Sequence, residues 1–370
     1  MLKTTVPLGW HVICRVGFVR NLGLAVAISA GGVGGNALAA GTPVKAAGQL
    51  FQFKDWEVAC DNTRRCQVAG YLREEGGLEG VEFEPVALLL TREAGPQAPV
   101  EVKLIAPTAD NSKRASNAKW QVLTDTTQLP AVSAEQAWPA AIAQTLMTVL
   151  PKLQNLGFRR GKDERYVSLS GLNAALLKMD DVQGRVGTPG ALLRKGDKPE
   201  SAVLPPLPAP EIRPVPCMAA RKSDAALIAP ILAAVKKRDC WDDVPSDKDA
   251  APGIVRLSET RVMVTRLCWQ AAYQSGRAAW VANSASPYNP EPVKFPAVDG
   301  KDMASPTGLE LLADGTAMSA TKGRGIGDCW ETTAWAWTGQ RFELTQSTAT
   351  AMCRQIPGGV PLRLWTSRKN

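Results

Sequence analysis

The sequence predicts an α+β fold in which two units, built mainly on antiparallel β-sheet, are separated by a proline-rich linker. Apolar and polar residues alternate over 53–60, which is typical of a β-strand, and the period becomes helical after residue 133. Six prolines lie within 204–216. Because proline lacks an amide hydrogen and restricts the residue before it, such a run favours an extended connector.

Length and composition indicate a globular chain with room for an export signal and two domains. The chain has 370 residues, of which 45% are hydrophobic and 21% charged. We expect four segments: a signal peptide over 1–39, an α+β domain over 50–200, the linker over 201–216, and a cysteine- and tryptophan-rich β domain over 217–370. Charges of both signs are mixed after residue 39, so the clustered basic face of a nucleic-acid-binding protein is not expected.

The N-terminal segment has the composition of a secretory signal peptide. Three cations come first, an apolar core follows over 22–30, and 37–39 form an A-x-A cleavage site. The core is shorter than the roughly 20 residues of a transmembrane helix. We therefore expect cleavage before Ala40, a periplasmic or secreted protein, and no stable membrane insertion afterwards; an uncleaved anchor is the alternative.

In the first unit, strands come before helices, and this order indicates an antiparallel sheet with packed helices. The expected strands are 53–60, 66–72, 86–91, 100–105, 120–124 and 166–170. A capping box at 133–136 predicts a helix that ends near Gly157. Apolar spacing over 172–179 predicts a second helix, and the Thr-Pro start and Gly end of 188–196 predict a short third one.

In the second unit, one helix, expected over 225–238, is followed by strands only. The expected strands are 254–257, 261–268, 277–283, 309–313, 332–337, 341–344 and 361–366, with hairpin turns at 314–315 and 338–339. Trp335 and Trp337 share one face of a strand. They are candidates for an aromatic face that binds sugar rings, but a core position is favoured because exposed apolar patches are uncommon.

Seven cysteines remain after the expected cleavage, and in an oxidising compartment they should form disulfides. Cys60 and Cys66 are the only two in the first unit, so we expect them to pair. We also expect pairs between Cys329 and Cys353 and between Cys240 and Cys268, although the partner choice among Cys217, Cys240 and Cys268 stays open. A metal site is not expected, because zinc-ligand spacings are absent from the sequence.

The residue types restrict the possible chemistry. The single histidine, His11, lies in the expected signal, so the mature chain is expected to lack histidine catalysis and histidine metal ligands. An S-x-x-K pattern at 116–119 lacks its companion motifs. The glycine-rich 323–327 precedes a predicted strand and so indicates a turn, and the aspartates of 239–249 lack the order of a calcium loop. We expect no catalytic, cofactor-binding or metal-binding residue.

Several segments together resemble a bacterial exported family known as domain of unknown function 1176. The segments are 53–61 with 65–71, which contain Asp-Trp-Glu-Val-Ala-Cys-Asp, and 267–273, 323–329, 335–344 and 352–354. The chain departs from the family pattern at Ala271 and Trp330, where glycine is usual, and at Gln274, where asparagine is usual. The first unit is also similar to the invasion-associated locus B family of secreted or periplasmic proteins. Neither resemblance supplies a catalytic motif.

Two functions remain from different classes. The first is a non-catalytic exported protein that binds a protein or glycan of the cell envelope, without cofactor or nucleic acid. The alternative is a hydrolase of envelope polysaccharide, which needs two carboxyl groups about 5–9 Å apart in a cleft. In either case we expect a binding cleft where the two units meet.

Overall fold

The structure is a computed structural model, and it describes residues 48–73, 84–107, 119–235, 240 and 251–369. The expected signal peptide therefore lies outside the described residues. Most of the described secondary structure is antiparallel β-strand, with few helices. Within those ranges no helix has both the length and the apolar character that crossing a bilayer requires.

A five-stranded antiparallel meander begins the described chain. Its strands are β1 (Gln49–Phe53), β2 (Trp56–Cys60), β3 (Cys66–Tyr71), β4 (Ala87–Arg92) and β5 (Val100–Ile105). Cys60 lies opposite Cys66 in the β2–β3 hairpin, as the sequence predicts. The turn between them is stabilised by Asp61, whose carboxylate accepts the amide hydrogen of Thr63 at 2.8 Å.

A second antiparallel sheet and two helices cover one face of this meander. The strands are β6 (Lys119–Thr124), β7 (Val132–Ser133), β8 (Leu156–Arg160) and β9 (Asp163–Val167), in the spatial order β7-β6-β8-β9. The helices are α1 (Ala140–Val149), which continues as a 3-10 turn over Leu150–Lys152, and α2 (Leu172–Val182). Tryptophan, leucine and valine side chains from all these elements form one core.

Two helix predictions in this region were wrong. Residues 133–136 do not begin α1: Glu135 has a φ of +58° and donates its amide hydrogen to the carbonyl of Leu104 in β5, so the helix starts only after Pro139. The expected helix over 188–196 is a series of turns instead. It is held by side chains, because Arg92 donates to the carbonyl of Gly190 and Asp180 accepts the amide of Leu192.

The linker contains a 3-10 turn (Glu200–Ala202) and β10 (Glu211–Ile212), and α3 (Ile228–Ala233) follows a 3-10 turn (Asp224–Leu227). α3 is shorter than the predicted helix, of which 236–238 lie outside the described residues. A four-stranded antiparallel sheet comes next: β11 (Gly253–Arg256), β12 (Arg261–Gln270), β13 (Ser275–Asn283) and β14 (Glu291–Pro292). β15 (Phe295–Pro296) and β16 (Asp302–Met303) form a small pair.

A second five-stranded meander completes the C-terminal part. Its strands are β17 (Glu310–Leu311), β18 (Thr316–Lys322), β19 (Trp330–Trp337), β20 (Phe342–Ala349) and β21 (Leu362–Thr366). The predicted turns are confirmed, with φ of +81° at Gly315 and +92° at Gly339. The sequence missed β18, whose residues Thr-Ala-Met-Ser-Ala-Thr-Lys show little apolar alternation.

The proline-rich segment lies across both parts of the molecule. Its Leu207 donates an amide hydrogen to Thr63 in the β2–β3 turn, and Val215 donates to Trp337 at the end of β19. β10 also pairs in parallel with the last strand, β22 (Arg368–Lys369). Backbone hydrogen bonds therefore connect the linker to each side, instead of leaving it extended in solvent.

The central strands of the first meander are buried on both faces, and this differs from the prediction of a half-buried strand. Trp56, Val58 and Cys60 of β2 point into the core shared with the helices. The opposite face, which includes Ala59, packs against the C-terminal segment, which we define as residues 351–366. The predicted alternation of side chains along β2 is confirmed, but the face predicted to be in solvent is covered by the C-terminal segment.

Candidate functional site

The covered face of the first meander carries polar side chains that bond to the C-terminal segment. Glu57 accepts the amide hydrogen of Ala351 at 2.9 Å, Gln67 accepts that of Arg363 at 2.8 Å, and Asn62 both donates to and accepts from the Thr366 backbone at 3.0 and 2.8 Å. These contacts occupy the place where the sequence predicts a cleft. They hold the two parts together through specific hydrogen bonds as well as apolar packing.

A buried ion pair lies at the centre of this polar network. The carboxylate of Asp55 is 3.1 Å from Nη2 of Arg354, and both side chains are nearly enclosed. Ser168 donates its hydroxyl to the other carboxylate oxygen at 2.6 Å, and Trp56 Nε1 donates to the Ser168 carbonyl at 2.8 Å. Asp55 and Trp56 therefore connect the start of β2 to the end of β9 and to the C-terminal segment.

Glu57 is a second carboxyl group of this network, and its pKa is shifted. Burial raises its pKa to about 7, although hydrogen bonds from the Tyr71 hydroxyl and the Ala351 amide, and the charge of Arg354, act in the opposite direction. Burial and the Glu57 carboxylate together raise the pKa of Tyr71. A raised carboxyl pKa is common in catalytic acids, but the side chain of Glu57 has no exposed surface.

A second buried charged cluster holds the turns that follow α2. Arg92 Nη1 is 3.2 Å from the carboxylate of Asp180, and Arg185 Nε donates to Gln183 at 2.8 Å. Burial and the nearby Arg185 lower the pKa of Arg92 to about 10, and burial raises the pKa of Asp180. Asp180 is enclosed like Glu57 and shares no hydrogen-bond partner with it.

The three expected disulfides are confirmed. They join Cys60 to Cys66, Cys240 to Cys268, and Cys329 to Cys353. Cys217 belongs to none of them, and its thiol is buried 3.7 Å from the carbonyl oxygen of Leu312. The Cys329–Cys353 pair lies at the base of the glycine-rich loop between β18 and β19, so it fixes that loop to the C-terminal segment.

The aromatic face suggested for Trp335 and Trp337 is wrong, and the core position is correct. Both side chains are buried. Trp335 lies 5.0 Å from the ring centre of Phe295, and Trp337 lies 5.2 Å from that of Phe342. The small β15–β16 pair covers this face of β19. Large aromatic side chains fill the space between these short strands and so form the core.

Two loops from different strand pairs meet at the surface above the third disulfide. We call residues 271–273, at the β12–β13 turn, and 323–326, between β18 and β19, the loop surface. Gln274 joins the two loops, since it donates to the carbonyl of Lys322 at 3.1 Å and accepts its amide hydrogen at 2.8 Å. Gly325 lies beside the ring of Tyr273, where an added Cβ would be 3.7 Å from it.

The base of the loop surface is fixed by hydrogen bonds as well as by the disulfide. Asp328 is buried, accepts from Arg324 Nε at 2.7 Å and accepts the amide of Gln355 at 2.6 Å. The bond from Arg324 is the main reason why the pKa of Asp328 lies below its usual range. Gly327, with a φ of +72°, accepts from Trp330 Nε1 at 2.8 Å. The loop is therefore a shaped turn before a strand, as the sequence predicts.

The loop surface exposes apolar and basic side chains. Ile326 is 71% exposed and Tyr273 is 50% exposed, and Arg324 is also exposed. The nearest acidic residue in the loop, Asp328, is enclosed. The sequence singled out both loops as family-like but not Ile326, because a glycine-rich pattern predicts a turn without indicating which side chain it displays.

One possible metal-ligand group also lies here. Asp328, Cys329 and Cys353 offer ligand atoms within 4.8 Å of one another. Both sulfurs are joined in the disulfide and the Asp328 carboxylate is occupied by Arg324 and Gln355, so the group does not have the free thiolates that a zinc site requires. The aspartates of 239–249 and the serine of the S-x-x-K pattern lie outside the described residues.

Comparison with known proteins gives one family. A family model described as "Protein of unknown function (DUF1176)" matches residues 50–368. A similar curated protein is the "Uncharacterized protein YpfG" of Escherichia coli (strain K12), which is 26% identical in an alignment of 335 residues that covers 81% of this chain and 88% of the relative. No solved structure matches the chain. These matches do not include the locus B family, so that similarity stays a prediction.

Proposed function

The chain belongs to the DUF1176 family of proteins of unknown function, and on that premise we propose that it is an exported, non-catalytic protein that binds a partner in the cell envelope. The observation that carries this proposal is the loop surface. There the exposed side chains of Ile326 and Tyr273 lie on loops that are fixed by a disulfide and by Gln274. A rigid exposed apolar surface favours recognition of a partner, because little conformational entropy is lost on binding.

The burial of the ionisable groups also supports a binding function over hydrolysis. A glycoside hydrolase needs two carboxyl groups that face the sugar and a water molecule. Asp55 and Glu57 both lie beside Arg354, but they are covered by the C-terminal segment. Asp180 is enclosed in another network. Because these three carboxyl groups are enclosed by the protein, they give the hydrolase alternative no support.

Export is supported by the cysteines and by the sequence of the first 39 residues. Three disulfides persist most readily in an oxidising compartment such as the periplasm. We expect the mature protein to begin at Ala40, which N-terminal sequencing of the protein from the periplasmic fraction would test. A chain that retains its first residues, or is found only in the cytoplasm, would contradict export.

Photo-crosslinking in cells tests the binding function. A photoreactive phenylalanine analogue is placed at Ile326 in one variant and at Met318, which is 43% exposed on β18, in a matched control. After irradiation we expect an adduct from position 326 and none from position 318, because only the former lies on the loop surface. Adducts are analysed for protein, glycan and lipid by mass spectrometry.

Two outcomes would contradict the proposal. If neither position gives an adduct although the probe is incorporated and the protein is folded, the loop surface does not bind a partner. If both positions give the same adducts, contact with the envelope is not specific to this surface. Hydrolysis of purified envelope polysaccharide by the wild-type protein would instead support the alternative function.

A further inference from the structure

We propose that the loop surface docks reversibly on an anionic lipid surface; this inference rests on the proposed binding function and names its partner. The docking residues are Ile326 and Tyr273, supported by the cations Lys322 and Arg324. The lipid is defined by its chemistry, a negatively charged headgroup above an apolar layer, and the protein remains on the surface without spanning the bilayer.

The exposed side chains fit the boundary between water and lipid. Ile326 is the most exposed of the large apolar residues in the described chain, and it stands between Gly325 and Gly327, which add no side chain beside it. Isoleucine gains free energy when it leaves water for an apolar layer. Tyr273, which lies against the same loop, has an apolar ring and a polar hydroxyl, the combination that is enriched at headgroup depth.

The charges of the loops complement an anionic headgroup layer. Lys322 and Arg324 stand on the strand end and the loop that carry Ile326. The side chain of Arg324 is partly exposed although it pairs with Asp328, while Asp328 itself is enclosed, so the basic partner of this pair is the one at the surface. The ammonium of Lys322 lies 5.1 Å from the ring centre of Trp330. Each cation near an anionic membrane adds to binding, and the effect weakens with salt.

The size of the loop surface favours lipid over a folded protein partner. A stable protein interface needs roughly 20–30 residues on each side. The loop surface consists of residues 271–273 and 323–326, and it is rich in glycine and alanine. A bilayer, by contrast, accepts one or two inserted side chains and provides many headgroups at once, which makes the expected binding weak and reversible.

Vesicle co-sedimentation tests the inference with the mature protein. The probes are vesicles of phosphatidylcholine alone and vesicles that also contain phosphatidylglycerol. We expect binding to the anionic vesicles, and a decrease when the salt concentration is raised from about 0.1 to 0.5 M, because the Debye length shortens. We expect Ile326→Ser to lower the partition coefficient about tenfold, since one isoleucine no longer enters the apolar layer.

Matched variants separate docking from folding. Met318→Ser removes a comparably exposed apolar side chain from β18 and should leave vesicle binding unchanged. Lys322→Gln should weaken binding about fivefold, whereas Lys301→Gln, at a highly exposed lysine in the turn between β15 and β16, should not. All variants should keep the wild-type thermal unfolding midpoint. A loss of vesicle binding then reflects the changed side chain and not unfolding of the protein.

The outcomes also distinguish this inference from the proposed function. Equal binding to neutral and anionic vesicles, or an Ile326→Ser variant that binds like the wild type, would overturn lipid docking. If vesicles do not bind but the photo-crosslinker at position 326 captures a protein or glycan, lipid docking fails and the proposed binding function stands. If neither vesicles nor the crosslinker reports a contact, both fail.

Discussion

Adjacent residues of the C-terminal segment belong to two regions with opposite character. Cys353 fixes the loop surface through its disulfide with Cys329, and the next residue, Arg354, enters the buried network through its ion pair with Asp55. The buried network is rich in ionisable groups and closed to solvent. The loop surface, by contrast, exposes Ile326 and Tyr273 to solvent.

This contrast shows that unusual acidity and accessibility are separate properties in this fold. The raised pKa of Glu57 arises from burial by a segment that joins the two parts of the molecule. Such a group contributes to one arrangement of the chain and is closed to solvent. The loop surface has ordinary side chains whose significance comes from exposure on a fixed support. Variants in the buried network should therefore change the free energy of unfolding, whereas variants in the loop surface should change vesicle binding.

The largest expected effect is on stability, from Asp55→Ala. This change removes the carboxylate that pairs with Arg354 in a nearly dry site, and should lower the free energy of unfolding by about 3–5 kcal/mol. Denaturant unfolding measures it. The control is Glu343→Ala, which breaks the exposed Arg341–Glu343 pair and should cost less than about 1 kcal/mol. Equal losses in both variants would mean that the buried Asp55–Arg354 pair contributes no more to stability than an exposed pair.

The next effect is a dependence of stability on pH that comes from Glu57. The pKa of this carboxyl is about 7 in the folded protein and 4.5 when unfolded, so the folded state holds the proton more tightly. The stabilisation is complete below pH 4.5 and is lost as the pH rises through 7, a change of about 3 kcal/mol. Unfolding of the wild type should show this decrease in stability between pH 4.5 and 7.

The matched variant is Glu57→Gln, which keeps a neutral side chain that can accept from Ala351 and bond to Tyr71. Its free energy of unfolding should change with pH by about 3 kcal/mol less than that of the wild type over the same window, since position 57 no longer titrates. Wild type and variant with parallel pH profiles would show that Glu57 is not the titrating group. Vesicle binding at fixed pH should be the same for both.

A smaller loss of stability is expected when the Cys329–Cys353 disulfide is removed, but this change should affect both regions. The two cysteines are separated by 24 residues, and replacing both by serine should cost about 2–4 kcal/mol. The loop surface should also lose its fixed shape, and with it vesicle binding. Replacing Cys60 and Cys66 by serine is the control: it should lower stability and leave vesicle binding intact, provided the protein is assayed well below its unfolding temperature.

The smallest effect on stability is expected at the loop surface itself. Ile326→Ser should change the free energy of unfolding by less than about 0.5 kcal/mol, because the side chain is mostly in water already. Ile356→Ala, at a buried isoleucine in the nearby C-terminal segment, should cost about 2–5 kcal/mol. A large destabilisation by Ile326→Ser would show that this residue packs against the protein, and would remove the basis for docking.

Local patterns in the sequence were sufficient for much of the fold. The alternation of Trp56, Val58 and Cys60 gave the right strand and the right inward face, and the hairpin around Asp61 brought Cys60 opposite Cys66. Helix starts were less predictable. The capping-box pattern at 133–136 was overridden by a backbone bond to Leu104, a contact that no local pattern contains.

The candidate site was predictable only in part. Glycines 323, 325 and 327 indicated a turn before Cys329, and this turn is present. Its position beside Tyr273 depends on a hydrogen-bonded pair between Gln274 and Lys322, which belong to different strand pairs 48 residues apart. The exposure of Ile326 follows from that packing, so the sequence could name the loop without identifying its displayed residue.

The sequence by itself determined the strands β2 and β3, the Cys60–Cys66 and Cys329–Cys353 pairs and the hairpin turns, because alternation, cysteine spacing and turn residues act over short distances. The sequence left the partner of Cys268 open, and the tertiary structure joins it to Cys240. Only the tertiary structure decided that Asp55 and Glu57 are buried. The ion-pair partner of Asp55, Arg354, lies 299 residues further along the chain. Burial of the two carboxyl groups depends on which distant segment covers this face of the first meander. The same segment, through Cys353, holds the loop surface in the position where Ile326 remains exposed.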